Sequence, residues 1–348
     1  MGPDADTDMA TDDTRPLLAL TMGDPAGIGP ELVLAALTDE GLRAWARMLV
    51  VGDAELLDAR ARRVGIGVPA IEEVSAPDGL RAGPRDRACL GPSAKGPPEA
   101  VIGVVDPAAG RASVAWVKTA ARLALEGKVD GVVTAPVNKL SIARAGFSYE
   151  GHTELLGELA GAEPVMMLMG AGLRVALATR HCALRDVPRL LTREEIVRTG
   201  RVLDGALRRD FGIEKPRIAV LALNPHASDG GRFGDEEERI VAPAVAQLLE
   251  DGIRAEGPLV PDVAFWRVLR GSHDAIIAMY HDQGLIPLKT LAFDRGVNVT
   301  LGLPMVRTSP DHGTAFEIAG RGEANPESFF EAVRVAAAIS RRRREAGT

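Results

Sequence analysis

Short, wholly apolar runs alternate with longer amphipathic segments along most of this chain. That rhythm restricts the fold more than any other feature. Residues 17–22, 48–51, 131–134, 174–179, 218–223 and 275–279 each have the length and composition of a buried strand. Between them, residues 31–37, 113–126, 193–208, 236–250 and 262–269 carry apolar side chains at helical spacing. Strands alternating with helices predict an α/β protein built on parallel sheet. The 348 residues leave room for two domains of roughly 100–200 residues each. No repeat and no strong linker separates them, so two lobes that exchange the chain are expected. Residues 76–111, rich in Gly, Pro and small side chains, read as an irregular surface excursion.

Composition removes several classes of function. Asp plus Glu outnumber Lys plus Arg by 48 to 41, a net charge of −7, which argues against nucleic acid as a bulk partner. A local basic patch stays compatible with that balance. Two cysteines, Cys89 and Cys182, are too few for a disulfide scaffold or a thiolate zinc cluster, and they suit a reducing cytoplasm. No run of about 18 apolar residues exists, so no membrane span is expected. The first 16 residues hold five Asp and neither an apolar core nor a basic start, and read as a disordered acidic leader rather than a secretory signal. At the other end, the amphipathic stretch 329–339 leads into Arg341, Arg342, Arg343 and Arg344, which read as a solvated helix tail.

Histidine is scarce, with six residues, and three of them share one kind of position. His181, His226 and His281 each follow an expected strand, at the edge where open α/β sheets bind ligands. Three imidazoles converging there would form a metal site with open positions, the layout of a catalytic metal. The plainer alternative is three unrelated loop histidines. Asp229 and Asp282 follow two of them closely, either to orient the rings or as turn residues. The segment TMGDPAGIGPE, 21–31, joins a strand to a helix. Its Gly23, Gly27 and Gly29 allow close backbone approach, and Pro30 and Glu31 suit a first helical turn. It is either an anion site or a tight turn, and it matches neither the dinucleotide fingerprint nor the Walker loop. Residues 281–312 are dense in Gly, Pro and polar groups, and Lys289, Asn298 and Arg307 there are candidates for gripping an anion. In GHTE, His152 faces a site or lies in a loop, and Thr153 is placed to cap a helix over 154–160. His273 sits in a polar turn without an assigned role.

Taken together, TMGDPAGIGPE, TAPVNK, GHTE, RVALATRH, LNPHASDGG, MYHDQGLIPLK and RGVNVTLGLPMVRTSPDHGTAFEIAG resemble the 4-hydroxythreonine-4-phosphate dehydrogenase family of vitamin B6 biosynthesis. The resemblance runs from about Leu17 to the end of the chain. It implies a two-lobed α/β/α fold like that of isocitrate and isopropylmalate dehydrogenases. Residues 17–145 plus 300–348 would form the first lobe, on the cofactor side. Residues 146–299 would form the second, with the metal site and the dimer interface. It implies an obligate homodimer whose active sites use residues of both subunits. It places a divalent metal (Zn, Mg, Co or Mn) on His181, His226 and His281, and a small phosphorylated substrate on His152, Thr153, Lys289, Asn298 and Arg307. NAD or NADP would accept the hydride, with His312 in a loop on the cofactor side. The implied reaction is oxidation of 4-phosphohydroxy-L-threonine, followed by decarboxylation. Asp262, Asp282 and Lys289 are candidates for taking the hydroxyl proton. A paralogue acting on D-threonate or D-erythronate 4-phosphate is the nearest alternative. A zinc hydrolase or lyase on the same histidines is a remoter one, and would leave the phosphate-gripping residues unexplained. So is a non-catalytic binding protein, against which the complete set of matching residues speaks.

Overall fold

The computed structural model describes residues 14–67, 71, 73–77, 87–90, 102–149 and 151–347. In chain order its strands are β1 (Leu17–Thr21), β2 (Arg47–Val51), β3 (Glu73–Val74), β4 (Arg87–Leu90), β5 (Gly131–Thr134), β6 (Val165–Gly170), β7 (Leu173–Leu177), β8 (Arg217–Leu221), β9 (Arg254–Leu259), β10 (Ala275–Ala278), β11 (Val297–Leu301) and β12 (Val306–Pro310). All belong to one sheet, in the order β3-β4-β2-β1-β5-β12-β11-β6-β7-β10-β8-β9. Parallel pairing holds from β3 to β12 and again from β7 to β9. Between these blocks lie three antiparallel pairings, β12 with β11, β11 with β6, and β6 with β7.

The α/β architecture expected from the alternating runs is therefore present, and each of the six apolar runs is a strand within a residue or two. Six strands went unread, the shortest of them β3, with two residues. β6 and β7 form a hairpin over Ala171 and Gly172, both at positive φ (48° and 84°), and its single long apolar run hides the turn. β9 carries Gly257 and Pro258, which read as loop. β11 and β12 carry Asn298, Arg307 and Ser309, polar residues at odds with a buried strand pattern. β4, with Cys89 fully buried, lies inside the stretch read as irregular. Most of that stretch, and all but the last residues of the acidic leader, lie outside the described residues. Of the turn-rich stretch 281–312, the first part is a helix, His281–Ala292, which accommodates Pro287. The division into lobes falls within β11 at its 299/300 boundary, and every strand on both sides joins the same sheet.

The Gly-rich segment after β1 is buried protein, not an open anion site. The helix Gly29–Thr38 has proline in its first turn, as expected, with all of residues 22–34 buried. Its Glu31 is 3% exposed, pairs with Arg60 at 2.9 Å, and accepts N–H groups from Gly320 (2.5 Å) and Gly322 (3.1 Å). Arg60 also donates to the carbonyls of Pro25 and Gly27. A buried ion pair with its remaining groups hydrogen-bonded is tolerable where a bare one is not. Here it ties the turn to the loop that follows β12. The arginine tail is likewise pinned. Arg343 forms a two-pronged pair with Asp210 (2.7 and 2.9 Å), Arg344 pairs with Asp130, and Arg341 lies over the Trp45 ring. Among the described residues no helix is long and apolar enough to cross a membrane, and both cysteines are free.

Candidate active site

The antiparallel strands at the centre of the sheet bring residues from both parallel blocks to one cavity of about 360 Å³. From the first block come Thr134, at the end of β5, and Arg307 and Ser309, two apart on β12 and hence on one face. From the antiparallel strands between the blocks come Asn298 on β11 and Met166 on β6, and the second block adds two histidines. His181 follows β7, and His281 opens the helix after β10. On that helix His281, Leu285 and Lys289, spaced by four, all line the cavity. The helix His152–Ala160 points its first turn at it, with Gly151, His152, Thr153 and Glu154 on the wall. Its N-cap is Gly151, at φ 172°, so Thr153 is a first-turn residue and not the cap expected from GHTE. Free N–H groups at such a helix start favour an anion.

Seven of the eight residues singled out in the sequence line this one cavity: His152, Thr153, His181, His281, Lys289, Asn298 and Arg307. The exception is His226. Several wall residues were not singled out, among them Thr134, Glu154, Ser309 and Asp311, although each stands inside a motif already quoted.

Charge and burial make the cavity an anion receptor. The Arg307 guanidinium is 2% exposed and donates to Thr300 Oγ1 at 2.8 Å and Thr134 Oγ1 at 2.7 Å. Its Nε has no partner, and neither does His152 Nε2 or Asn298 Oδ1, though all three atoms are buried. Buried polar atoms are nearly always satisfied. Three orphans on one cavity wall therefore mark where a polar ligand belongs. Burial pulls the Arg307 guanidinium down to about 9, with Glu154 partly opposing the shift. Burial, and then the charge of Arg307, hold the His152 imidazole well below its usual value, so it stays neutral. Burial likewise lowers His312 and raises Asp311, both on the wall.

Two imidazoles face each other across the site, with the His181 and His281 ring centroids 5.4 Å apart. His281 Nδ1 is 2.7 Å from Asp282 Oδ1, an arrangement that leaves Nε2 to bind a metal. Asp229, by contrast, pairs with Arg232. Neutral imidazoles are the right donors for a divalent transition metal. Their number within one chain is not sufficient. Among the described residues no three His, Cys, Asp or Glu come together as a metal set. Of the proton acceptors considered, Lys289 lines the cavity, whereas Asp262 and Asp282 do not. His273 is buried between Ser272 and Glu256 and is structural.

His226 lies in a turn of unusual backbone. His226, Ala227, Ser228 and Asp229 all have positive φ (54°, 53°, 67° and 46°), and none is glycine. Each such residue costs on the order of 1 kcal/mol or more, so the turn needs an external hold. One buried carboxylate supplies it. Glu237 accepts N–H groups from Leu223 (2.8 Å) and Asn224 (2.7 Å), the Asn224 amide (3.0 Å) and the Ser228 hydroxyl. It stands at the start of a π-helical turn, Glu237–Val241, a feature common near functional sites. The result is an exposed His226 whose ring lies edge-on to Phe233. Glu237→Ala should therefore lower global stability by about 2–3 kcal/mol and speed amide exchange through 223–229. Denaturant titration and hydrogen exchange check this, and wild-type values for both would contradict it.

Comparison with known proteins gives a consistent picture. The family described as pyridoxal phosphate biosynthetic protein PdxA matches residues 44–336. A 4-hydroxythreonine-4-phosphate dehydrogenase of Geobacter metallireducens is 49% identical over 332 residues, 94% of this chain and 96% of that protein. The crystal structure of a 4-hydroxythreonine-4-phosphate dehydrogenase from Klebsiella pneumoniae superimposes with a TM-score of 0.83 at 40% identity, covering 94% of this chain and 98% of that one. A terephthalate 1,2-cis-dihydrodiol dehydrogenase from Burkholderia xenovorans superimposes less closely, with a TM-score of 0.64 at 30% identity, covering 93% and 98%.

Proposed function

This chain belongs to the PdxA family, and from that premise we propose that it oxidises 4-phosphohydroxy-L-threonine with NAD or NADP. The product, 2-amino-3-oxo-4-phosphooxybutanoate, is a β-keto acid that loses CO2 to give 3-amino-2-oxopropyl phosphate. The observation that carries this reading is the cavity wall. It holds a buried guanidinium, two further orphaned polar atoms, a helix N-terminus and a lysine, all suited to a phosphorylated, carboxylate-bearing substrate.

In this reading Arg307 and Lys289 hold the substrate's anionic groups. His152, neutral and buried beside Arg307, and Asn298 supply directional hydrogen bonds that fix the carbon chain. Thr153 adds a first-turn N–H and a hydroxyl. The buried wall, formed by Met166, Leu285 and Pro310, excludes water from the reacting carbon. His181 and His281 would hold a divalent metal, and His226 of a second copy would be the third ligand. Bound there, a divalent metal supplies Lewis acidity to the oxygen being oxidised.

Two features support a homodimer. His226 is exposed and does not line the cavity of its own chain. Large apolar side chains also lie open near the site, with Ile286 63% and Phe293 76% exposed. A hollow lined by His281, Ile286, Lys289 and Phe293 runs along the outside of the His281–Ala292 helix. Exposed apolar surface of this kind marks an interface.

The nearest rival substrates, D-threonate and D-erythronate 4-phosphate, carry a hydroxyl where hydroxythreonine phosphate carries an amine. The 30% identical dihydrodiol dehydrogenase shows how far substrates diverge on this fold. Initial rates of NAD(P)H formation with the three phosphates side by side test the choice. A kcat/KM at least about tenfold higher for the amino acid is expected. Equal or faster oxidation of either sugar acid would contradict it.

A further inference from the structure

Among the described residues two carboxylates line the cavity, Glu154 and Asp311. A carboxylate there repels the ligand's phosphate and carboxylate, and Asp311 has a partner in the protein itself. We propose that Asp311 is a positioning residue, which holds the Lys289 ammonium at a fixed place on the cavity wall. The inference rests on the reading of Lys289 as a substrate-gripping residue.

Lys289 Nζ donates to the Asp311 main-chain carbonyl at 3.1 Å and lies 3.3 Å from Asp311 Oδ2. One residue thus offers the ammonium two acceptors. The lysine side chain is 38% exposed, and it leaves its helix near the last turn. Unrestrained, its four-carbon stem would sample many rotamers. Asp311 is itself held fast. Its N–H donates to Ser328 Oγ at 3.1 Å, and that hydroxyl donates to the Gly296 carbonyl at 2.6 Å. Ser328 lies in the first turn of the C-terminal helix Glu327–Glu345. A Cβ at Gly296 would meet the Asp311 Cβ and Oδ2 at 3.4 Å, ordinary van der Waals contact, so this turn packs beside the carboxylate. The end of β12, the turn before β11 and the C-terminal helix together form a rigid frame. Asp311 carries that rigidity across to the helix that bears His281, Leu285 and Lys289. His281 and His312 also face this carboxylate. Neither is within hydrogen-bonding reach of it in the way Lys289 is.

Three substitutions test the role: Asp311→Ala, Asp311→Asn, and Asp311→Ala combined with Lys289→Ala. Asp311→Ala should lower kcat about 20-fold and leave KM within about threefold, because the ammonium stays nearby but out of place. Asp311→Asn keeps an acceptor at the same point without the charge, and should recover at least about fivefold of the loss. Added to Lys289→Ala, Asp311→Ala should change kcat by less than about twofold. Wild-type kcat in Asp311→Ala, an asparagine variant as slow as the alanine one, or a further 20-fold loss on top of Lys289→Ala would overturn the proposal.

A turnover-free reading separates this inference from the proposed reaction. Reductive methylation of Lys289, followed by peptide mass spectrometry, should run at least about threefold faster in Asp311→Ala than in the wild type. An unchanged rate overturns the positioning role even if no substrate is oxidised. Absence of turnover in the wild type would instead overturn the function proposed above.

Discussion

Arg307→Met is expected to lower kcat/KM about a thousandfold, near 4 kcal/mol, and to leave the fold as stable as before or more so. The two halves of that result have one cause. In the free protein the guanidinium is buried and bonded to two threonine hydroxyls, and among the described residues no carboxylate lies within hydrogen-bonding distance. Its depressed pKa, about 9, measures how poorly the site favours the charge. Replacing an uncompensated buried charge by an apolar side chain of similar length commonly stabilises a protein. A bound phosphate or carboxylate reverses the balance, since it meets the free Nε–H and compensates the buried charge. A site kept at a cost to folding is a site kept for a ligand. Steady-state kinetics and thermal unfolding of the one variant test both halves. Lost stability together with retained turnover would show that Arg307 is a structural residue.

The second large effect concerns the imidazoles. Removal of divalent metal by chelation should abolish turnover, a loss of at least about a thousandfold, and added metal should restore it. His181→Ala and His281→Ala should each lose bound metal while remaining folded, since His181 is exposed and His281 half-buried on the cavity wall. His226→Ala should behave in the same way, although His226 lies outside the cavity of its own chain. A mixture of His226→Ala and His281→Ala chains should then regain activity. Each hybrid dimer contains one chain with an intact His181–His281 pair facing an intact His226. Metal content by elemental analysis and activity of the mixture are the measurements. Full activity in a stripped protein would refute metal dependence. No recovery despite proven subunit exchange would place the third ligand elsewhere.

Much of this was legible in the residues themselves. The apolar runs at β1, β2, β5, β7, β8 and β10 need no partner to declare themselves, because a strand buried on both faces is apolar throughout. His181 and His281 could be placed by their position after strands alone. β11 and β12 could not be read, because their polar residues are there for the site and contradict the pattern of a buried strand. Arg307, paired in register with Val132 of β5, is the extreme case: a charged residue at the centre of a sheet. Sequence patterns fail where function displaces packing. The hairpin between β6 and β7, which places antiparallel strands at the centre of the sheet, shows only as one long apolar run. Asp311 stood in the quoted SPDHG, yet its bond to Lys289 spans 22 residues and is visible only in three dimensions. His226 shows the converse. Its sequence position matched that of the other two histidines, but it sits in a left-handed turn held by Glu237 and does not line the cavity they line.

A cavity that removes a hydride from a phosphorylated hydroxy acid, which then loses CO2, is tested by following absorbance at 340 nm and CO2 release together, with 4-phosphohydroxy-L-threonine, NAD or NADP, and a divalent metal. Reduced nicotinamide and CO2 should appear in equal amounts, and neither should form without the nicotinamide. Consumption of the phosphate ester without reduced nicotinamide would contradict this reaction, and would point to hydrolysis or elimination at the same histidines.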